Sequence, residues 1–193
     1  MTKIAVFVSG GGTNLQSLIN GCKSGFIPGE INLVISSKKG VFAIERAKRE
    51  NIPHFVIEYK DYSGEEEYSA ALLKKVKEFN TDIICLAGFL VKLGKNIVSE
   101  YRNRILNIHP ALLPDFGGKG MYGIRVHEAV LASGRKESGC SVHIVDEEYD
   151  HGPVILQRRL PVKDNDTPQS LARRVLKEEH KLYPEAVKKF ISK

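Results

Sequence analysis

Short apolar runs and amphipathic stretches take turns along the first half of the chain. A strand over residues 4–8 precedes a helix beginning near Asn14, a strand over 31–36 precedes a helix over 41–50, and a strand over 54–57 precedes a helix over 65–79. Residues 82–86 and 105–108 are two further strands, the second with apolar neighbours that predict burial on both faces. Strand and helix alternating in this way specify an α/β domain with a mainly parallel central sheet. Beyond residue 108 the rhythm changes. A glycine-rich loop over 115–124 leads to a short helix over 126–133, then to strands over 139–145 and 153–162 joined by an acidic turn, which read as an antiparallel pair. Thr167-Pro168 opens a long final helix, with Thr as N-cap and Pro in the first helical position. No repeat, low-complexity tract or linker interrupts residues 1–193, so a single domain is expected.

In open parallel sheets, ligands sit beyond the carboxyl ends of the strands. Three polar or glycine-rich segments follow predicted strands and should share that crevice: Ser9-Gly10-Gly11-Gly12-Thr13-Asn14, Ala87-Gly88-Phe89 and Asn107-Ile108-His109-Pro110. The glycine turn opens a helix, where free backbone N–H groups and the helix dipole favour an anion, and Thr13 and Asn14 add side-chain donors. It is neither a Walker motif nor a Gly-x-Gly-x-x-Gly turn, because residue 15 is Leu; a single phosphate monoester fits it better than a dinucleotide. Asn107 and His109 lie two apart, on one face of their strand and about 6 to 7 Å apart along it. Burying two such polar groups is costly unless something needs them there. Asp150, just before the Gly-Pro pair at 152–153, is placed to hold a carboxylate against His109, which would raise the imidazole pKa and favour its protonated form.

Composition narrows the partners. With 42% hydrophobic residues among 193, the chain can bury a core unaided by disulfides or metal, and Cys22, Cys85 and Cys140 have neither disulfide-framework nor zinc spacing. The net charge of +6, much of it in the last helix, reads as a solvated basic face, since no aromatics interleave to stack bases. A nucleic-acid partner is not expected. No apolar run reaches membrane-spanning length and no signal peptide is seen, so a soluble, cytoplasmic protein is expected, without a membrane partner.

Ser-Gly-Gly-Gly-Thr-Asn-Leu-Gln at 9–16, Leu-Ala-Gly-Phe at 86–89, Leu-Asn-Ile-His-Pro-Ala-Leu-Leu-Pro at 106–114, Ser-Val-His at 141–143 and Asp-His-Gly-Pro-Val-Ile-Leu-Gln at 150–157 occur in that order. Together they closely resemble the phosphoribosylglycinamide formyltransferases, folate-dependent enzymes of purine synthesis. The resemblance spans nearly the whole chain. It implies a Rossmann-like formyltransferase fold, with a mostly parallel sheet of about seven strands and helices on both faces. It implies 10-formyltetrahydrofolate as formyl-donor co-substrate, glycinamide ribonucleotide as acceptor, no metal, and a monomer or homodimer. By the same resemblance, Asn107, His109 and Asp150 fall on the catalytic triad, Gly12, Thr13 and Asn14 hold the substrate phosphate, and Glu179 contacts the ribonucleotide. Leu90, Val91, Lys92, Leu93 and Asn107 line the folate pocket, and Val145, Asp146 and Glu147 begin the loop that wraps it. Three features depart from the family pattern: residues 115–123 form a longer loop, Glu65 and Glu66 stand where a basic residue near the folate tail is common, and His151 replaces a small residue after Asp150.

Formyl transfer proceeds through a tetrahedral intermediate, for which Asn107 is a donor to the developing oxyanion and His109 an acid for the departing folate nitrogen. Two related activities share the folate domain. Methionyl-tRNA formyltransferase usually adds a basic carboxyl-terminal domain, and formyltetrahydrofolate hydrolase an amino-terminal regulatory one. A non-catalytic phosphate- or nucleic-acid-binding module would explain the glycine turn and the charge, but leaves Asn107, His109 and Asp150 without a purpose.

Overall fold

A computed structural model describes residues 1–192. Its centre is a seven-stranded sheet in the order β3-β2-β1-β4-β5-β6-β7. The strands are β1 (Thr2–Val8), β2 (Gly29–Ser36), β3 (His54–Val56), β4 (Ile83–Leu86), β5 (Ile105–His109), β6 (Glu137–Ile144) and β7 (Val154–Pro161). β1 to β5 run parallel, while β6 lies antiparallel to β5, and β7 to β6. The helices are α1 (Thr13–Lys23), α2 (Phe42–Arg49), α3 (Glu65–Glu78), α4 (Lys95–Glu100), α5 (Ile124–Ala132) and α6 (Pro168–Ile191). Among the described residues, no helix is long and apolar enough to cross a membrane.

Alternation along β1 shows why the sheet is covered on both sides. Ile4, Val6 and Val8 join a core built with α1, α2, α5 and α6, whereas Ala5 and Phe7 join a second core built with α3 and α4. The side-chain period of two sends neighbours to opposite faces, and both faces here are apolar. The sequence pattern does not single out α4. This six-residue helix buries only Ile97 and Val98, too short a stripe to show a helical period. β5 runs one residue further than expected, because His109 pairs with Ser141 of β6.

Two features brace the carboxyl-end crevice. α6 begins with a capping box, in which the Thr167 side chain accepts from Ser170 N–H and the Ser170 side chain accepts from Thr167 N–H. Further along, the buried Tyr183 hydroxyl lies 3.0 Å from the Leu86 carbonyl and 3.1 Å from that of Leu106, pinning α6 across the ends of β4 and β5. Glu179, one turn earlier, is thereby fixed beside the same strand ends.

Candidate active site

Strands β1 and β4 are neighbours whose chains leave in opposite directions, β1 toward β2 and β4 toward β5, so their carboxyl ends open a crevice at the switch point. Ser9 ties the crevice together. Its hydroxyl lies 2.6 Å from that of Ser37, after β2, and accepts from Leu90 N–H, after β4, at 2.9 Å. The turn that follows needs glycine at one position above all. Gly12 has φ +72°, and a Cβ there would come within 2.6 Å of Ala43 Cβ. Gly10 and Gly11 face open space, leaving their backbone approachable. Arg46 braces the turn from α2, donating through Nε to the Gly11 carbonyl at 2.9 Å.

From this turn a cavity of about 470 Å³ extends across the ends of β4, β5 and β6. Asn14, Glu179, Leu90, Val91, Lys92, Leu93, Asn107, His109, Val145, Asp146, Glu147 and Asp150 all line it. Of the residues expected to bind substrate or act in catalysis, Gly12 and Thr13 do not; they flank the Asn14 end. The Asn14 side chain differs from expectation. Its Nδ2 donates to Glu179 Oε2 at 2.7 Å, so its amide is directed inward, and what the residue presents to an anion is its backbone N–H. Glu179 is almost fully enclosed, and burial pushes its pKa up, with the Asn14 hydrogen bond opposing.

At the centre stand Asn107, His109 and Asp150. The Asp150 carboxylate lies 3.5 Å from His109 Nδ1 through Oδ2 and accepts from Asn107 Nδ2 at 3.3 Å through Oδ1. Asp150 reaches this place from a turn with φ +52°, a left-handed conformation that Asp tolerates better than most residues. A side chain at Gly152 would run into the Ile144 carbonyl, so glycine lets the chain close behind Asp150.

The loop after β5 completes the assembly. Phe116 O accepts from His109 Nε2 at 2.9 Å, and Gly118 N–H donates to Asp150 Oδ2 at 3.0 Å. The loop itself is held by Ser141, whose hydroxyl donates to Ala111 O at 2.6 Å and accepts from Leu113 N–H at 3.0 Å. Gln157 adds a bond to Leu113 O at 2.8 Å.

The charge on His109 runs against the expectation of a protonated resting state. Burial lowers its pKa below the ordinary 6.5, and the opposing pulls of Asp150 and the Phe116 carbonyl do not overcome it. Asp150 itself is held below the usual carboxylate range: burial works against its charge, and the His143 ring 3.5 Å from its Oδ1, the nearby His109 and the Gly118 N–H outweigh it.

His143 is a site residue that the sequence reading passed over. It sits opposite Asn107 in the antiparallel register of β5 and β6. Its Nδ1 donates to Ile144 O at 3.0 Å, which leaves Nε2 to accept from Asn107 Nδ2 at 3.1 Å. The signal was present in the spacing: residues 141 and 143 of β6 share the face that 107 and 109 present.

The sequence profile described as formyl transferase matches residues 2–187. The chain belongs to the formyl transferase family. Its relatives within the family include the chloroplastic phosphoribosylglycinamide formyltransferase of Arabidopsis thaliana, 45% identical over 186 residues, a match covering 96% of this chain and 64% of the plant protein. The trifunctional purine biosynthetic protein adenosine-3 of Gallus gallus is 43% identical over 185 residues, covering 96% of this chain and 18% of the avian one. This formyl transferase chain therefore spans less than two thirds of the length of both. A crystal structure of phosphoribosylglycinamide formyltransferase from Bacillus halodurans superposes with a TM-score of 0.93 at 35% identity, over 100% of this chain and 96% of that one. The α/β formyltransferase fold expected from the motifs is thus the fold of this family member.

Proposed function

We propose that this chain transfers the formyl group of 10-formyltetrahydrofolate to the amine of glycinamide ribonucleotide, a step of purine biosynthesis. The observation that carries the reading is the meeting of Asn107, His109 and Asp150 in one cavity whose Asn14 end is flanked by the glycine turn. In this reading the folate head lies along Leu90, Val91, Lys92 and Leu93 and under the loop carrying Val145, Asp146 and Glu147. The ribonucleotide lies toward Asn14 and Glu179, with its phosphate on the N–H groups of Gly12, Thr13 and Asn14. Reduced thiols at Cys22, Cys85 and Cys140 suit a cytoplasmic setting.

The chemistry follows from the partners. Attack by the neutral amine places positive charge on nitrogen and negative charge on the former formyl oxygen. Asn107 exchanges its long bond to Asp150 for that oxygen, a kind of stabilisation typically worth about 3 kcal/mol per donor. Neutral His109 takes the amine proton, is held as imidazolium by Asp150, and returns a proton to the folate nitrogen as the carbon–nitrogen bond breaks. The formyl group has moved, and one proton has passed from amine to folate nitrogen.

Release of tetrahydrofolate followed by absorbance, with and without glycinamide ribonucleotide, tests the proposal. Release that depends on the acceptor is expected; equal release without it would assign a hydrolase instead.

A further inference from the structure

One polar side chain in the acceptor half of the cavity has no part in the chemistry above. His127 stands in α5, is 4% exposed, and borders the main cavity. Its Nδ1 is buried without a hydrogen-bond partner. Its helix neighbours Val126 and Val130 are buried, Val130 within the apolar core, and an apolar residue at 127 would leave no nitrogen unpaired. An imidazole kept at such a position calls for a partner that arrives with a ligand.

The place of His127 says which ligand. α5 packs against α6, and the α6 residues Ala172, Leu176 and Glu179 line the same cavity. The folate segment 90–93 borders it as well, but comes from the end of β4. We propose that His127 is an acceptor-binding residue, whose imidazole hydrogen-bonds the glycinamide portion of the substrate and aims its amine at the formyl carbon. The inference rests on the formyl-transfer reading above.

The electrostatics suit that task. Burial, with His109 nearby, lowers the His127 pKa to about 4, so the ring is neutral at neutral pH. A neutral ring does not repel an amine that becomes cationic as it attacks, and it offers both a donor and an acceptor to an amide. Since no hydrogen bond holds Nδ1, turning the ring toward a ligand breaks none there.

The test compares wild type with His127→Leu and His127→Asn, the second placing an amide near the position of Nδ1. In the Leu variant the KM for glycinamide ribonucleotide should rise about tenfold or more, while the KM for 10-formyltetrahydrofolate stays within about twofold. The melting temperature should equal or exceed that of wild type, and the Asn variant should recover part of the acceptor affinity. An unchanged acceptor KM, or donor and acceptor constants rising together, would overturn the assignment. A Leu variant that melts well below wild type or fails to fold would make the imidazole structural and overturn it too. Wild type supplies the control: without acceptor-dependent turnover the formyl-transfer reading itself fails, whereas with it a failed KM split removes only the role of His127.

Discussion

Gly118 and Asp150 are joined by a hydrogen bond of 3.0 Å from a backbone N–H to a carboxylate, and the loop that makes it also supplies the Phe116 carbonyl to His109. One short segment therefore aims both members of the central pair. Gly117, between the two contacts, has no room for a side chain: a Cβ would lie 2.6 Å from Leu113 Cδ2 and 3.1 Å from Asp150 Cβ. Gly117→Ala should displace the carboxylate while leaving the sheet intact. A misplacement of this size is expected to lower kcat by about 10- to 100-fold, with far-ultraviolet circular dichroism unchanged. Wild-type kcat in a folded variant would show that the loop does not set the geometry of Asp150.

His143 offers Asn107 an acceptor at 3.1 Å, from a ring anchored by the Ile144 carbonyl. Without it the Asn107 amide is free to turn away from the position an oxyanion would occupy. His143→Ala is expected to reduce kcat by about tenfold or more, and to change the donor KM by less than about threefold. Steady-state kinetics for both substrates decide the matter, and an unaltered kcat would remove His143 from the orienting network.

How far the sequence foretold this arrangement depends on the range of the interaction. The strands, the parallel run of the first five and the crevice at their carboxyl ends were legible because continuous apolar runs of strand length and strand–helix alternation are local patterns. Asn107 and His109 were legible for the same reason, being two apart on one strand. The inward turn of Asn14 was not, since it depends on Glu179, 165 residues away. The lowered pKa of His109 is not legible in sequence, because adjacency to Asp150 follows from the motifs, whereas the burial that outweighs it arises only when β6, the Phe116 loop and His127 of α5 close around the ring. The Ser-Val-His motif alone gives His143 no role, because its partner is set by the β5–β6 register.

The protonation state of His109 is open to direct measurement. Its pKa is lowered by burial, so ring signals followed by NMR in the free protein should titrate with a midpoint below 6.5. Asp150→Asn removes the charge that pulls the other way, and the midpoint should fall further. The same variant, like His109→Ala, should lose about 100-fold or more in rate while still binding the folate. A His109 midpoint above 6.5 would overturn the lowering by burial, and one above neutral pH would restore a protonated resting state and reverse the direction of the first proton transfer.

Stability should carry the mark of His127. Its folded-state pKa of about 4 lies below the ordinary 6.5, so between these values the unfolded chain binds the proton more readily than the folded one. The contribution is fully present above pH 6.5 and is lost as pH falls toward 4. At about 1.4 kcal/mol per unit it amounts to at most about 3.5 kcal/mol, less whatever solvent in the cavity screens. Denaturant unfolding of wild type and His127→Leu at pH 7 and pH 4.5 isolates the effect, because the other titrating groups are common to both proteins. The Leu variant should lose less stability on acidification than wild type; parallel losses would mean that the imidazole takes up its proton as easily in the folded protein as in the unfolded chain.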